Sequence, residues 1–325
     1  MVQFAAFLTA TALATLALVT THPGQHHAIR TDAEIIHRKL FRANAHRSLK
    51  ACANSPHLRK LKEQTVARRT AKAEQLRQEQ PSDDRLHCPR DEPQVQSHQC
   101  HYDTDTATLF GTDPSASSNS RYAGPYYVSG ELIRTDIREE QAGIDLYAEL
   151  QIIDVNTCTA VENMYVTSAL QYHWRRDTTN IGKTFNRGLA PTDSNGVVSF
   201  TTTFPGHYTG RASHIHVLGS HDGTVLANKT YSGGKAAHVG QIFFDQDLIT
   251  EVEATSKYAV NTQAITLNSA DSIFSESAAS GFDPIMEYVL LGDSVEDGIF
   301  AWISIGVDTT ISKTVSAVAT LTAII

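Results

Sequence analysis

Between Pro205 and His216 the chain reads Pro-Gly-His-Tyr-Thr-Gly-Arg-Ala-Ser-His-Ile-His, which gathers the phenol of Tyr208, the guanidinium of Arg211 and the imidazoles of His214 and His216 within twelve residues. Side chains two apart on a strand leave the same face, so the rings of His214 and His216 are expected to point the same way. Two such imidazoles are half of a metal site. Pro-Gly-His before Tyr208 is turn-prone, and a turn there can fold the phenol back toward the rings. Taken singly, each of these residues has a plainer use. A His-x-His on a strand more often marks an exposed polar face, Tyr208 alone suits a half-buried turn, and Arg211 alone suits a surface ion pair.

Together the residues resemble the intradiol ring-cleavage dioxygenases, in particular their secreted fungal members. In that family a Pro-Gly-x-Tyr turn and a following His-Ile-His supply a tyrosinate and two imidazoles to Fe(III), with an Arg shortly before the histidines beside the substrate. The resemblance extends from about Gly124 to Asp308, through Gly124-Pro125-Tyr126-Tyr127-Val128, Leu150-Gln151-Ile152-Ile153-Asp154, Arg187-Gly188 with Thr192-Asp193, and Gly240-Gln241-Ile242-Phe243-Phe244. It implies that Tyr208, His214 and His216 are iron ligands, that Arg211 is the substrate-side cation, and that Gln241 orients beside it. It also implies an aromatic diol and O2 as reactants, with the ring opened between the hydroxyls. Phenolate and imidazole form a hard, electron-rich set that suits Fe(III), used as Lewis acid and template. A fixed, always-charged guanidinium suits developing negative charge.

The sequence departs from the family at the other tyrosine. The family places it in a Trp-His-x-Asn…Gly-x-Tyr-Ser loop, whereas this chain continues from Asn163-Met164-Tyr165-Val166 into Thr167-Ser168-Ala169-Leu170-Gln171-Tyr172-His173-Trp174. Tyr172 is the nearest candidate for the fourth ligand, and Tyr165 is expected to face the sandwich as a strand residue. The usual Thr-Pro-Glu lead-in before Gly124 is also missing.

The elements that must hold these residues follow from the rest of the chain. Its 325 residues are 41% hydrophobic and 19% charged, enough for one sizeable core and a small second unit. Residues 1–21 hold an apolar run from Phe4 to Val19 of signal-peptide length, which predicts secretion rather than a stable membrane anchor. Four cysteines, Cys52, Cys88, Cys100 and Cys158, fit an oxidising compartment and allow two disulfides in three pairings. Asn228-Lys229-Thr230 is a glycosylation sequon.

Residues 28–80 carry 13 Lys/Arg against 5 Asp/Glu, leaving 14 basic and 30 acidic residues elsewhere. Residues 22–80 therefore read as a basic helical leader or pro-segment, with helices over 33–49 and 57–78 broken at Ala53-Asn54-Ser55-Pro56. The expectation is a pair of helices that packs on the acidic body or is removed, with Arg68-Arg69 as a dibasic cleavage point. An acidic body without an aromatic ladder argues against nucleic acid. Residues 81–120 are a polar linker.

Residues 121–310 read as strands, with β-branched or aromatic runs at 126–134, 145–155, 196–203, 213–219 and 239–244 separated by Gly, Asn, Asp and Pro. Asp193-Ser194-Asn195-Gly196 is a hairpin-type turn. The expected fold is mainly β: a two-sheet β-sandwich behind a small basic helical region, with a frayed or loosely docked apolar tail over 311–325. Two other readings stay open. A catalytically degenerate sandwich would serve as an extracellular module binding aromatics or wall material. A cupin-like metalloenzyme would need a carboxylate and a third His, for which His221 with Asp222, or His238, are the available residues. The sequence assigns neither an oligomeric state nor a particular diol.

Overall fold

A computed structural model describes Cys52 and residues 55–79, 128–170, 183–278, 283–312, 314–317 and 319–321. Two four-stranded sheets face each other. One has the order β10 (Glu287–Leu290), β11 (Ile299–Val307), β2 (Asp145–Asp154), β5 (Val197–Thr203). The other runs β4 (Arg187–Pro191), β3 (Tyr165–Leu170), β6 (His214–His221), β9 (Lys235–Phe243). β11 and β2 are parallel, and the remaining neighbours are antiparallel. Alternation builds the core. Leu146, Leu150 and Phe200 of the first sheet meet Val166, Ile215 and Val217 of the second, all at most 2% exposed.

The predicted strands over 145–155, 196–203, 213–219 and 239–244 are found within a few residues of those bounds. Others differ. Of the 126–134 run, the described residues 128–134 form a sheet strand only at β1 (Val128–Ser129), because Gly130 turns at φ 83° and the chain continues through isolated bridges at Leu132 and Ile133. The Asp193 turn forms, with the Asp193 carboxylate accepting from the amides of Asn195 and Val197 at 2.8 Å. It does not close a hairpin, because β4 and β5 lie in different sheets and the turn is a corner between them. Tyr165 does not face the core: Met164 and Val166 do, and the period of two sends Tyr165 outward to stack on Tyr231 at 4.3 Å. Of the two expectations for the tail, frayed or loosely docked, its described residues 311–312, 314–317 and 319–321 follow the docked one. β12 (Ala319–Thr320) pairs with β1, the Leu321 amide donates to the Ser129 carbonyl, and Val315 packs on Leu218, Ala236 and Val239.

The outer face of the first sheet is covered by α1 (Pro56–Glu79). Its buried residues Leu58, Leu61, Thr65, Arg69, Ala73 and Leu76 recur every three or four positions, one face of a helix. Ala73 and Leu76 sit on Val289, Leu291, Phe300 and Trp302, and Leu58 and Leu61 on Ile153. Beneath the helix, Arg69 donates to Glu149 at 2.7 Å, and Arg68 reaches the same carboxylate at 3.0 Å. The Arg69 guanidinium lies 5.6 Å from the centre of the Trp302 ring. Burial works to raise the Glu149 carboxyl, but the hydrogen bonds and charges of both arginines outweigh it and hold it below its ordinary value. The basic leader thus meets the acidic body through Arg68-Arg69, the pair that sequence alone offers as a cleavage point; the Arg69 side chain is 0% exposed.

A disulfide joins Cys52 to Cys158 across 106 residues and ties the start of α1 to the loop after β2. In the chain-entropy account, closing a loop of that length stabilises by up to about 5 kcal/mol. Cys88 and Cys100, residues 1–21, the helix over 33–49, Ala53 and Asn54 of the break after it, and the linker over 81–120 all lie outside the described residues. No described helix is long and apolar enough to cross a membrane.

His238 of β9 is buried against the core, and burial pushes its imidazole down from 6.5 to about 4. As pH falls through 6.5 the unfolded chain takes up a proton that the folded chain refuses. Stability contributed by this site is therefore full above 6.5 and is lost toward pH 4, by on the order of 3 kcal/mol. A proton NMR titration should find the His238 ring still neutral at pH 5; a midpoint near 6.5 would contradict the assignment.

Candidate metal centre

The outer face of the second sheet carries the residues that the sequence singles out. Ile215 and Val217 point into the core, so His214 and His216 point out from it. The sheet continues their face through Gln241, the Cα partner of His216, and Phe243, the partner of His214. His214 is buried and His216 half-buried, so the pair forms a floor that opens on one side.

Tyr208 reaches this floor by a tight turn. The Arg211 amide donates to the Tyr208 carbonyl at 3.2 Å, with Gly210 at φ 92° in the third position, where a type II turn needs it. The turn folds the Tyr208 ring to 6.1 Å from that of His214, and Tyr208 is 3% exposed. Residues 253–271 clamp the turn from outside. The Thr209 and Gly210 amides donate to Gln263 and Thr266, and Asn261 donates to the His207 carbonyl at 2.9 Å. His207 itself spans Glu253 at 2.8 Å and the Gln263 carbonyl at 2.9 Å. Burial works against a charged His207 ring, but these two acceptors outweigh it and raise its pKa above the ordinary value.

The His214 ring has the tautomer that a metal ligand through Nε2 needs, and the His216 ring lies beside it. His214 Nδ1 lies 2.6 Å from the Ala212 carbonyl, which can only accept, so Nδ1 carries the proton and Nε2 the lone pair. That Nε2 lies 3.2 Å from Nε2 of His216. Two imidazole nitrogens bound to one ion at about 2.1 Å and roughly a right angle are about 3 Å apart, so the spacing fits a shared metal. The donors are two imidazoles and a phenol. Among the described residues no group of three or more His, Cys, Asp or Glu gathers, and His221 is paired with Asp222 at 2.8 Å. The carboxylate and third His that a cupin-like centre requires are therefore not assembled among the described residues. The set fits a hard, oxidised ion such as Fe(III).

Arg211 completes the site. Its Nε donates to Asp271 at 2.8 Å, and its Nη2 donates to Gln241 Oε1. Gln241 Oε1 accepts from Arg211, so its Nε2 faces His216 Nδ1 at 3.4 Å and Gln241 sits between Arg211 and the His216 ring; ligation through His216 Nε2 requires the tautomer with its proton on Nδ1. Arg211 is 1% exposed, and its Nη1 has no hydrogen-bond partner among the described residues. A buried guanidinium donor left over in this way is suited to an incoming oxygen. Phe243 and Phe274, in edge contact at 5.2 Å, add an apolar wall beside His214.

Tyr208, His214, His216, Arg211 and Gln241 are thus brought together, as their spacing suggests. Tyr172 lies outside the described residues; β3, whose Leu170 pairs with Ile215, ends two residues before it. Sequence reasoning missed Asp271, Glu253, Asn261, Gln263 and Thr266. Asp271 before Ser-Ile-Phe is a helix-cap signal, but its partner Arg211 is 60 residues away and leaves no local trace.

No protein-family model and no curated protein matches the sequence. Solved structures do match. An intradiol ring-cleavage dioxygenase from Tetranychus urticae is 25% identical with a TM-score of 0.50, over 60% of this chain and 95% of that one. The dioxygenase domain of a carbohydrate-binding fusion protein from Streptomyces sp. SirexAA-E is 18% identical, with a TM-score of 0.40 over 60% of this chain and 99% of that one. A catechol 1,2-dioxygenase from Acinetobacter sp. ADP1 is 16% identical, with a TM-score of 0.37 over 88% and 80%. The first carries the comparison: the sandwich of this chain is similar to that of an intradiol ring-cleavage dioxygenase.

Proposed function

We propose that the chain is a secreted intradiol-type dioxygenase that opens a catechol-type ring between its two hydroxyls with O2, at an Fe(III) centre held by Tyr208, His214 and His216, with Tyr172 as the fourth ligand. The observation that carries this reading is the pair of imidazole Nε2 atoms 3.2 Å apart, with the Tyr208 ring beside His214 and the buried Arg211–Gln241 pair beside His216. Its support is the similarity of the sandwich to the T. urticae dioxygenase. Secretion is supported by the apolar run in residues 1–21 and by the Cys52–Cys158 disulfide, which persists in oxidising compartments.

The reaction balances without a reductant: one C–C bond breaks, both atoms of O2 enter the product, and a diol becomes a ring-opened diacid. When bound, the ferric ion supplies Lewis acidity and a template for the two diol oxygens. The protein does the rest. Phe243 and Phe274 offer an apolar face to an aromatic ring, and burial of Tyr208 and His214 limits water. Arg211 Nη1 is placed to hold negative charge as it develops on a diol oxygen. Gln241 accepts from Arg211 and sits between it and the His216 ring.

A second reading, a degenerate sandwich that binds aromatics without turning them over, is favoured by the missing Gly-x-Tyr-Ser loop near Tyr172. The two part in one assay. Iron-loaded protein given catechol in air should consume one O2 per diol and release the ring-opened diacid. Diol binding with no oxygen uptake supports the binding module.

A further inference from the structure

Asp271 does more than cap a short helix. Its Oδ1 accepts from the Ile273 and Phe274 amides, at 2.7 and 3.0 Å, and starts α3 (Ser272–Ser277). Its Oδ2 accepts from both Arg211 Nε and the Ala212 amide, each at 2.8 Å. One fully buried carboxylate therefore fixes the guanidinium plane, the start of the Ala212–His216 segment and the helix whose Phe274 meets Phe243.

A guanidinium has three nitrogens to place. Asp271 takes Nε and Gln241 takes Nη2, so the fork cannot rotate without breaking one of them. Nη1 is what remains: buried, without a hydrogen-bond partner among the described residues, and on the arginine that follows the Tyr208 turn. We propose that Asp271 is a positioning residue for the reaction, which holds Arg211 so that Nη1 is presented to an oxygen of the bound diol or of its ring-opening intermediate. The inference rests on the reading given under Proposed function and deepens it. The geometric argument is one of precision. A rigid donor aimed where charge develops is worth about 10²–10³-fold in rate, and a misplacement of about 1 Å forfeits much of that.

The test uses the full-length chain with Asp271→Asn, which keeps a helix-capping oxygen but removes the charge that holds Arg211. Asp271→Ser, which also caps but is too short to reach the guanidinium, serves as the second variant should the first fold poorly. In metal-free protein, the Arg211 Nε–Hε resonance should move or broaden in the variant. In iron-loaded protein the visible ligand band should be unchanged while kcat falls about 10–100-fold and KM changes less than about threefold. In an Arg211→Lys background, Asp271→Asn should add less than about a twofold further loss, because Asp271 acts through that arginine. A kcat within threefold of wild type, or an equal fractional loss in both backgrounds, overturns the proposal. Wild type without ring cleavage defeats the dioxygenase reading instead. Asp271 is then judged by anaerobic catechol titration, where unchanged affinity in the variant overturns its role.

Discussion

Tyr208→Phe is expected to cost more than about 10³-fold in kcat/KM and to weaken and shift the visible phenolate-to-iron band, leaving the Tyr172 share of it, while the protein stays folded. Phenylalanine fills the space of the buried ring, which is 3% exposed, and the turn is set by backbone and by Gly210 rather than by the hydroxyl. Only the oxygen donor is lost. The two imidazoles remain, with Nε2 atoms 3.2 Å apart, so some iron affinity should survive with an altered colour. Spectra and steady-state rates of wild type and variant, both loaded with Fe(III), check this. A variant whose band is unchanged in position and intensity and that turns over within threefold of wild type would sink the assignment of Tyr208 as a ligand.

Glu149→Ala is expected to destabilise the whole sandwich by about 3–5 kcal/mol, far from the metal centre. The Glu149 side chain is 2% exposed and receives the 0% exposed Arg69, so truncation strands a buried cation beside Trp302. Burial already brings the Arg69 guanidinium down to about 10, even with Glu149 in place. Replacing both partners by apolar residues, Glu149→Leu with Arg69→Met, should recover most of the loss, because the cost lies in the unpaired charge. Chemical denaturation of the three proteins decides it. Equal losses for the single and double variants would mean that α1 is held by its apolar contacts alone. The same variants ask whether α1 is part of the mature folded protein: a protein that loses the helix without losing stability would support removal of the leader.

How much of this was legible beforehand depends on the range of the interaction. Period-two runs such as Asp145–Asp154 announce themselves, because each residue's face is set by its neighbours. His214 and His216 are visible for the same reason, and Tyr208 because Pro205-Gly206 and Gly210 mark a turn. Sheet membership was not: the Asp193 turn has hairpin chemistry, yet the core needs its two strands in opposite sheets. Tyr165 was misplaced because an aromatic in a strand looks like core until the parity of Met164 and Val166 is known. The clamp around the site, Glu253, Asn261, Gln263, Thr266 and Asp271, was illegible because each is an ordinary polar residue whose meaning comes from a partner about 46–60 residues away. The departure at Tyr172 could be read only against a family pattern, and that residue lies outside the described part of the chain.

The most direct test of the ferric centre is the visible spectrum of the protein loaded with Fe(III), before and after catechol is added without oxygen. A broad phenolate-to-iron band that weakens and shifts in Tyr208→Phe and shifts when the diol binds is the result this account predicts. A folded, colourless protein that retains no iron would contradict it and leave the sandwich as a binding module.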